Sequence, residues 1–133
     1  MQTEIKVGGL LKIRIVEGRL FRDTETFGKM DPYCVLIFKD GRKLKTKTHN
    51  NGGKAPKWSD EFEIKVNDLQ EEVKFAIMDE DVTSDDTVGY GMVKLSALCI
   101  NHGVNEWFSI TFKDKLAGQI FFSTTYVQAV VIS

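Results

Sequence analysis

Residues 10–16 read Leu-Leu-Lys-Ile-Arg-Ile-Val, with Leu11, Ile13 and Ile15 separated by Lys12 and Arg14. A period of two marks an extended chain with one buried face, because successive side chains of a strand point to opposite sides. The period returns in 58–66 with Phe62, Ile64 and Val66 inward, and in 73–78 with Val73, Phe75 and Ile77. It recurs in 88–95 with Val93 and Leu95, in 107–112 with Phe108, Ile110 and Phe112, and in 118–127 with Ile120 and Phe122. An apolar run over 32–38 opens on Pro32, where a missing N–H is tolerated. Asp40-Gly41 then predicts a hairpin into 42–48, with Lys43, Lys45 and Lys47 on one face. One short helical stretch is predicted over 96–101. Eight strands at this spacing predict an all-β, antiparallel Greek-key sandwich. The length of 133 residues suits one domain. Its expected bounds are 10–127, with an N-terminal extension over 1–9 and a tail over 128–133. Residues 127–132 read as a continuation of the last strand.

Several classes are excluded by what the chain carries. Cys34 and Cys99 lie in apolar surroundings and belong to no CxxC pair, so two buried thiols in a reducing compartment are expected. Residues 1–7 are polar and do not read as a signal peptide. No apolar run is long enough to span a bilayer, so any membrane contact is expected to be peripheral and the protein cytoplasmic. No aromatic residues interleave with the lysines, which argues against nucleic acid as a partner.

Charge is distributed unevenly. Segments 23–31 and 79–86 hold eight acidic residues and one lysine, a charge of −7, while the rest of the chain carries +6. Both fall between strands. Crowded carboxylates repel, so the segments are either solvated turns or a shared cation site. Asp oxygens in loops suit Ca²⁺, which takes six to eight oxygen ligands in loose geometry. Zn²⁺ prefers Cys and His, and His49 and His102 lie in neither segment. An EF-hand starting at Asp79 fails, since its sixth position is Ser84 rather than Gly and its twelfth is Tyr90 rather than Glu.

The stretch Asp23-Thr-Glu-Thr-Phe-Gly-Lys-Met-Asp31-Pro-Tyr33 resembles the first calcium loop of a C2 domain. Pro56-Lys-Trp58-Ser-Asp-Glu-Phe62 is similar to that family's Pro-x-Trp-Asn-Glu-x-Phe, and Asp79-Glu-Asp81 through Asp85-Asp86-Thr-Val-Gly89 resembles its third loop. The resemblance covers residues 10–127. It implies the type II strand arrangement and a ligand set of Asp23, Asp31, Asp79, Asp81 and Asp86, joined by the backbone carbonyls of Arg22 and Glu80. The third loop is one residue shorter than in many relatives, so Asp85 is an alternative to Asp86. The function implied is calcium-dependent binding to anionic phospholipid membranes, as a targeting or signalling module without catalysis. Phe27 and Val82 are the loop-tip side chains available for insertion. Lys43, Lys45, Lys47 and Lys65 form a second candidate lipid surface, of the kind that takes phosphoinositides in the family. The alternative is a calcium-independent protein-interaction or phosphoinositide-binding module on the same scaffold. A metal-assisted hydrolase lacks a nucleophile–base pair beside its carboxylates.

Overall fold

The long alternating segments at the two ends of the chain find each other. In a computed structural model, which describes residues 5–132, β1 (Ile5–Leu20) and β8 (Lys115–Ile132) pair antiparallel from Ile5↔Ile132 to Leu20↔Gly118. β4 (Glu61–Val66) adds to the free edge of β1, and β7 (Asn105–Phe112) to that of β8. The other half consists of β2 (Pro32–Ile37), β3 (Lys43–Lys45), β5 (Glu72–Asp79) and β6 (Asp86–Lys94). The full ladder runs β3-β2-β5-β6-β7-β8-β1-β4, and every pair is antiparallel. The two four-strand halves meet along it at one register pair, Tyr90↔Thr111. Helix α1 (Leu95–Cys99) and a 3₁₀ turn (Ile100–His102) link β6 to β7. The result is the eight-stranded all-β sandwich expected.

The inward residues are those that the alternation selects. Leu11, Ile13 and Ile15 are 0–1% exposed, and Ile64, Val73, Phe75, Ile77, Ile110, Ile120 and Phe122 join the same core. The halves lock where Phe75 of β5 meets Phe122 of β8 edge-on, with ring centroids 5.2 Å apart. Gly91 of β6 lies under that contact, and a Cβ there would overlap the Phe75 ring. Cys34 and Cys99 are free and buried.

Strand bounds depart from the sequence reading at several places. β1 extends past residue 16 because a bulge between Ile15 and Glu17 resets its register, which hides the continuation from a strict period of two. β1 also starts before residue 10, its residues 5–9 pairing with 128–132, which continue the last strand as expected. β3 stops at Lys45 instead of reaching residue 48. The Thr46 hydroxyl accepts the Cys34 N–H at 3.0 Å, so a side chain replaces the ladder carbonyl there. Lys47 therefore lies beyond the strand. Trp58, expected at the start of β4, sits in the preceding loop, where its indole N–H donates to Pro32 O at 3.1 Å.

Candidate functional site

β1 ends, β2 begins, β5 ends and β6 begins at one end of the sandwich. Asp79 is opposite Pro32 on one side and Asp86 on the other. The two acidic segments are the connections at that end, so pairing alone brings them together. Glu80 N donates to Asp31 O at 2.9 Å, which extends the β2–β5 ladder into the loops.

Asp79 is the pivot. It is 0% exposed. One carboxylate oxygen accepts from Asp31 N and the other from Thr24 Oγ, both at 2.8 Å. The first segment is therefore held to the third strand-end by a buried charge. Asp31 in turn accepts from Asn51 N at 2.7 Å, tying in the loop before β4. Asp81 is exposed, and its carboxylate caps Val82 N at 2.7 Å. Asp23 is exposed and accepts from Glu25 N at 2.9 Å, a local turn bond.

Glu25 was not singled out by the sequence reading, yet its carboxyl faces the site. It is pushed up to about 7, first by hydrogen bonding to Asp79 and by that carboxylate's charge, then by partial desolvation and the charges of Asp81 and Asp31. The spacing carried a usable signal: Glu25 stands six residues before Asp31 with Gly28 between them.

Asp85 and Asp86 part company. Asp85 accepts from Tyr33 OH at 2.5 Å and from Asp81 N at 3.0 Å. Its carboxyl is held below the ordinary Asp range by the Tyr33 hydroxyl, then by the Asp81 N–H and the Lys45 charge. The same phenol is pushed upward by burial and by Asp85. Asp86 is exposed and remains opposite Asp79 in register.

Glu25, Asp31, Glu80 and Asp81 line one cleft of about 590 Å³, with Phe27 and Val82 at its rim. Lys29 lines it too, but forms no ion pair among the described residues. Phe27 is 89% exposed and Val82 fully exposed, so neither folds back onto the domain. The donors are all oxygen and largely uncompensated, which fits a hard cation such as Ca²⁺. Among the described residues no three of them converge on one point.

Lys43 and Lys45 lie on β3, Lys47 just beyond it, and Lys65 on β4. Lys43, Lys45, Lys47 and Lys65 are all exposed. Lys45 Nζ stands 4.9 Å from the Tyr33 ring centroid, on the side where Asp85 lies. Lys65 instead borders a groove with Leu10 and Val127 on the other half of the ladder. Arg22, expected to offer only its carbonyl, has its guanidinium over the Phe112 ring, 3.9 Å from the centroid. His49 has a structural role, its ring nitrogen accepting from Lys57 N at 2.9 Å.

Comparison with known proteins adds a family and a set of relatives. The model of the C2 domain family matches residues 9–110. A calcium-dependent lipid-binding protein of Arabidopsis thaliana is 28% identical over 114 residues, which is 85% of this chain and 22% of that protein. The 16 kDa phloem protein 2 of the same plant is 24% identical across 89% of this chain and 81% of its own length. Among solved structures, a C2 domain of plant extended synaptotagmin 1 superposes with a TM-score of 0.75 at 21% identity, covering 89% of this chain and 93% of that one. A calcium-bound tandem pair of C2 domains from extended synaptotagmin 2 gives 0.75 at 22%, covering 89% and 45%. At these identities the superpositions speak for the fold. The chain spans only about a fifth of the first of these relatives and 13% of mouse RasGAP-activating-like protein 1.

Proposed function

The chain belongs to the C2 domain family, and on that premise we propose that it is a non-catalytic, calcium-dependent module that docks on anionic phospholipid membranes through its two acidic loops. The observation that carries the proposal is the cleft lined by four acidic residues and a single lysine, while Phe27 and Val82 stand exposed at its rim. Asp23, Asp31, Asp79, Asp81 and Asp86 are the proposed ligands, with Glu25 lining the same cleft as Asp31 and Asp81. The Arg22 and Glu80 carbonyls supplement them. Asp85 is engaged by Tyr33 and Asp81 N, which favours Asp86 as the last ligand.

Each residue has a role that follows from its place. Asp79 holds the first loop through Thr24 and Asp31 and presents charge from a buried position. Asp31, Glu80 and Asp81 make the tip of the sandwich negative, so the bare protein is repelled by an anionic leaflet. Bound Ca²⁺ would supply compensating charge and coordination positions open to lipid oxygens. Phe27 and Val82 then add apolar burial at the bilayer surface. The relative named for calcium-dependent lipid binding supports this reading. Reversible attachment from the cytoplasm follows from it. Among the described residues no helix is long and apolar enough to cross a membrane.

The test is sedimentation with vesicles of phosphatidylcholine and phosphatidylserine, in EGTA and in millimolar Ca²⁺. Much stronger binding in Ca²⁺ than in EGTA is expected. Equal binding in both would replace this reading with a calcium-independent one.

A further inference from the structure

The hairpin joining β7 to β8 stands against the start of the first acidic loop. Ala117 O accepts from Phe21 N at 2.7 Å and from Arg22 N at 3.3 Å. Its turn residues Lys113 and Asp114 are both left-handed, with φ of 50° and 64°, which makes the hairpin tight. Phe21, Arg22, Phe112, Lys113, Lys115 and Leu116 line a cavity of about 540 Å³ beside this hairpin. The lining contains three cationic side chains and no carboxylate. That is the reverse of the neighbouring cleft, at the same end of the sandwich.

The cations are unspent. Among the described residues none of Arg22, Lys113 and Lys115 forms an ion pair. Arg22 Nε is buried without a hydrogen-bond partner, and its guanidinium carbon stacks 3.9 Å from the Phe112 ring centroid. Lys113 Nζ lies 5.5 Å from the same centroid. A buried donor without an acceptor is unfavourable, and an incoming anionic oxygen would relieve it. A guanidinium presents a fork of donors that matches phosphate, and two ammonium groups beside it add charge. Phe21 and Leu116, 54% and 55% exposed, border the same cavity. A free anion would leave this apolar pair without use, whereas a lipid brings phosphate and hydrocarbon together.

We infer that this cavity seats the phosphate of an anionic phospholipid, with Phe21 and Leu116 against its apolar part, as a contact separate from the acidic cleft. Choosing a membrane lipid as the source rests on the membrane-docking reading above. The cavity's charge and geometry do not depend on calcium.

Dihexanoyl phosphatidylserine, titrated in EGTA below its micelle concentration, tests the seat by NMR. The Arg22 Nε–H signal and the Lys115 and Ala117 amides are expected to move together, while Asp79 and Asp81 amides stay still. Lys113→Gln/Lys115→Gln is expected to weaken this binding about tenfold or more, taking about fivefold per surface cation. It should lower vesicle binding in Ca²⁺ by a similar factor. A charge-matched Lys39→Gln/Lys94→Gln variant, at the far strand ends, should lower it much less. The calcium-induced melting shift of Lys113→Gln/Lys115→Gln should equal that of wild type, so failure of the acidic cleft and failure of this cavity are read separately. Absent NMR shifts, equal shifts with inorganic phosphate, or equal losses in the two lysine variants would each overturn the assignment.

Discussion

Asp79→Asn separates the charge of the pivot residue from its hydrogen bonds. The wild-type carboxylate accepts from Asp31 N and Thr24 Oγ at 2.8 Å. Asparagine preserves both: its carbonyl accepts the Asp31 N–H, and its amide donates to the Thr24 hydroxyl, which turns to accept. Two charge-assisted bonds become neutral ones, a loss of about 1 kcal/mol each. Against that, a carboxylate leaves the company of Glu25, Asp31 and Asp81. The two changes oppose, so in EGTA the variant is expected to stay within about 1–2 kcal/mol of wild type. For 133 residues the unfolding entropy near the midpoint is about 0.28 kcal/mol per degree, making each kcal/mol worth about 3–4 °C. Calcium at about 100 times its Kd should stabilise wild type by about 2.7 kcal/mol, or about 10 °C. The asparagine variant, lacking a central ligand charge, should shift by no more than about 2–3 °C at the same concentration. Asp79→Ala would behave differently, melting lower even in EGTA because it leaves Asp31 N–H without an acceptor. The assay is differential scanning fluorimetry across a calcium series for all three proteins. A wild-type-sized calcium shift in Asp79→Asn would remove Asp79 from the site. A large loss in EGTA would refute the interchangeable hydrogen bonds.

Other outcomes follow from the same geometry. Phe27→Ser/Val82→Ser should weaken vesicle binding about tenfold or more while leaving the calcium melting shift intact, since each side chain is exposed in the free protein and gains burial only on the bilayer. Gly91→Ala should destabilise by about 2 kcal/mol in denaturant melts, because its methyl would press on Phe75 in the inter-sheet contact. Tyr33→Phe removes the largest cause of the lowered Asp85 pKa, and NMR titration should find that carboxyl closer to the ordinary Asp range. The sign is that of a depressed acid: its stabilisation is present above the unfolded pKa and lost as pH falls through the folded one, so the variant's stability should fall less across that acid limb. Cys34 should stay inert to a thiol reagent until unfolding. Cys99, pushed up to about 11 by burial, should react far more slowly at pH 8 than a free thiol.

The alternation of Leu11, Ile13 and Ile15, repeated through Phe122, was enough to specify strands and their buried faces, because side-chain direction in an extended chain follows from backbone geometry alone. Residue type likewise disclosed the two acidic loops and the C2 resemblance. What the chain could not disclose were relations between residues far apart in sequence. Thr24 and Asp79 are 55 residues apart and Tyr33 and Asp85 are 52, and both contacts exist only because β2, β5 and β6 align in register. That register turned Asp85 toward a phenol and left Asp86 opposite Asp79. It aimed Glu25 at the cleft while Asp23 closed a local turn. It also set Arg22 against Phe112 from the far hairpin, making a cationic cavity beside an acidic one. Periodicity is local and so legible in a sequence. The partner of a charge is decided by which strands pair, and that is a property of the packed sandwich.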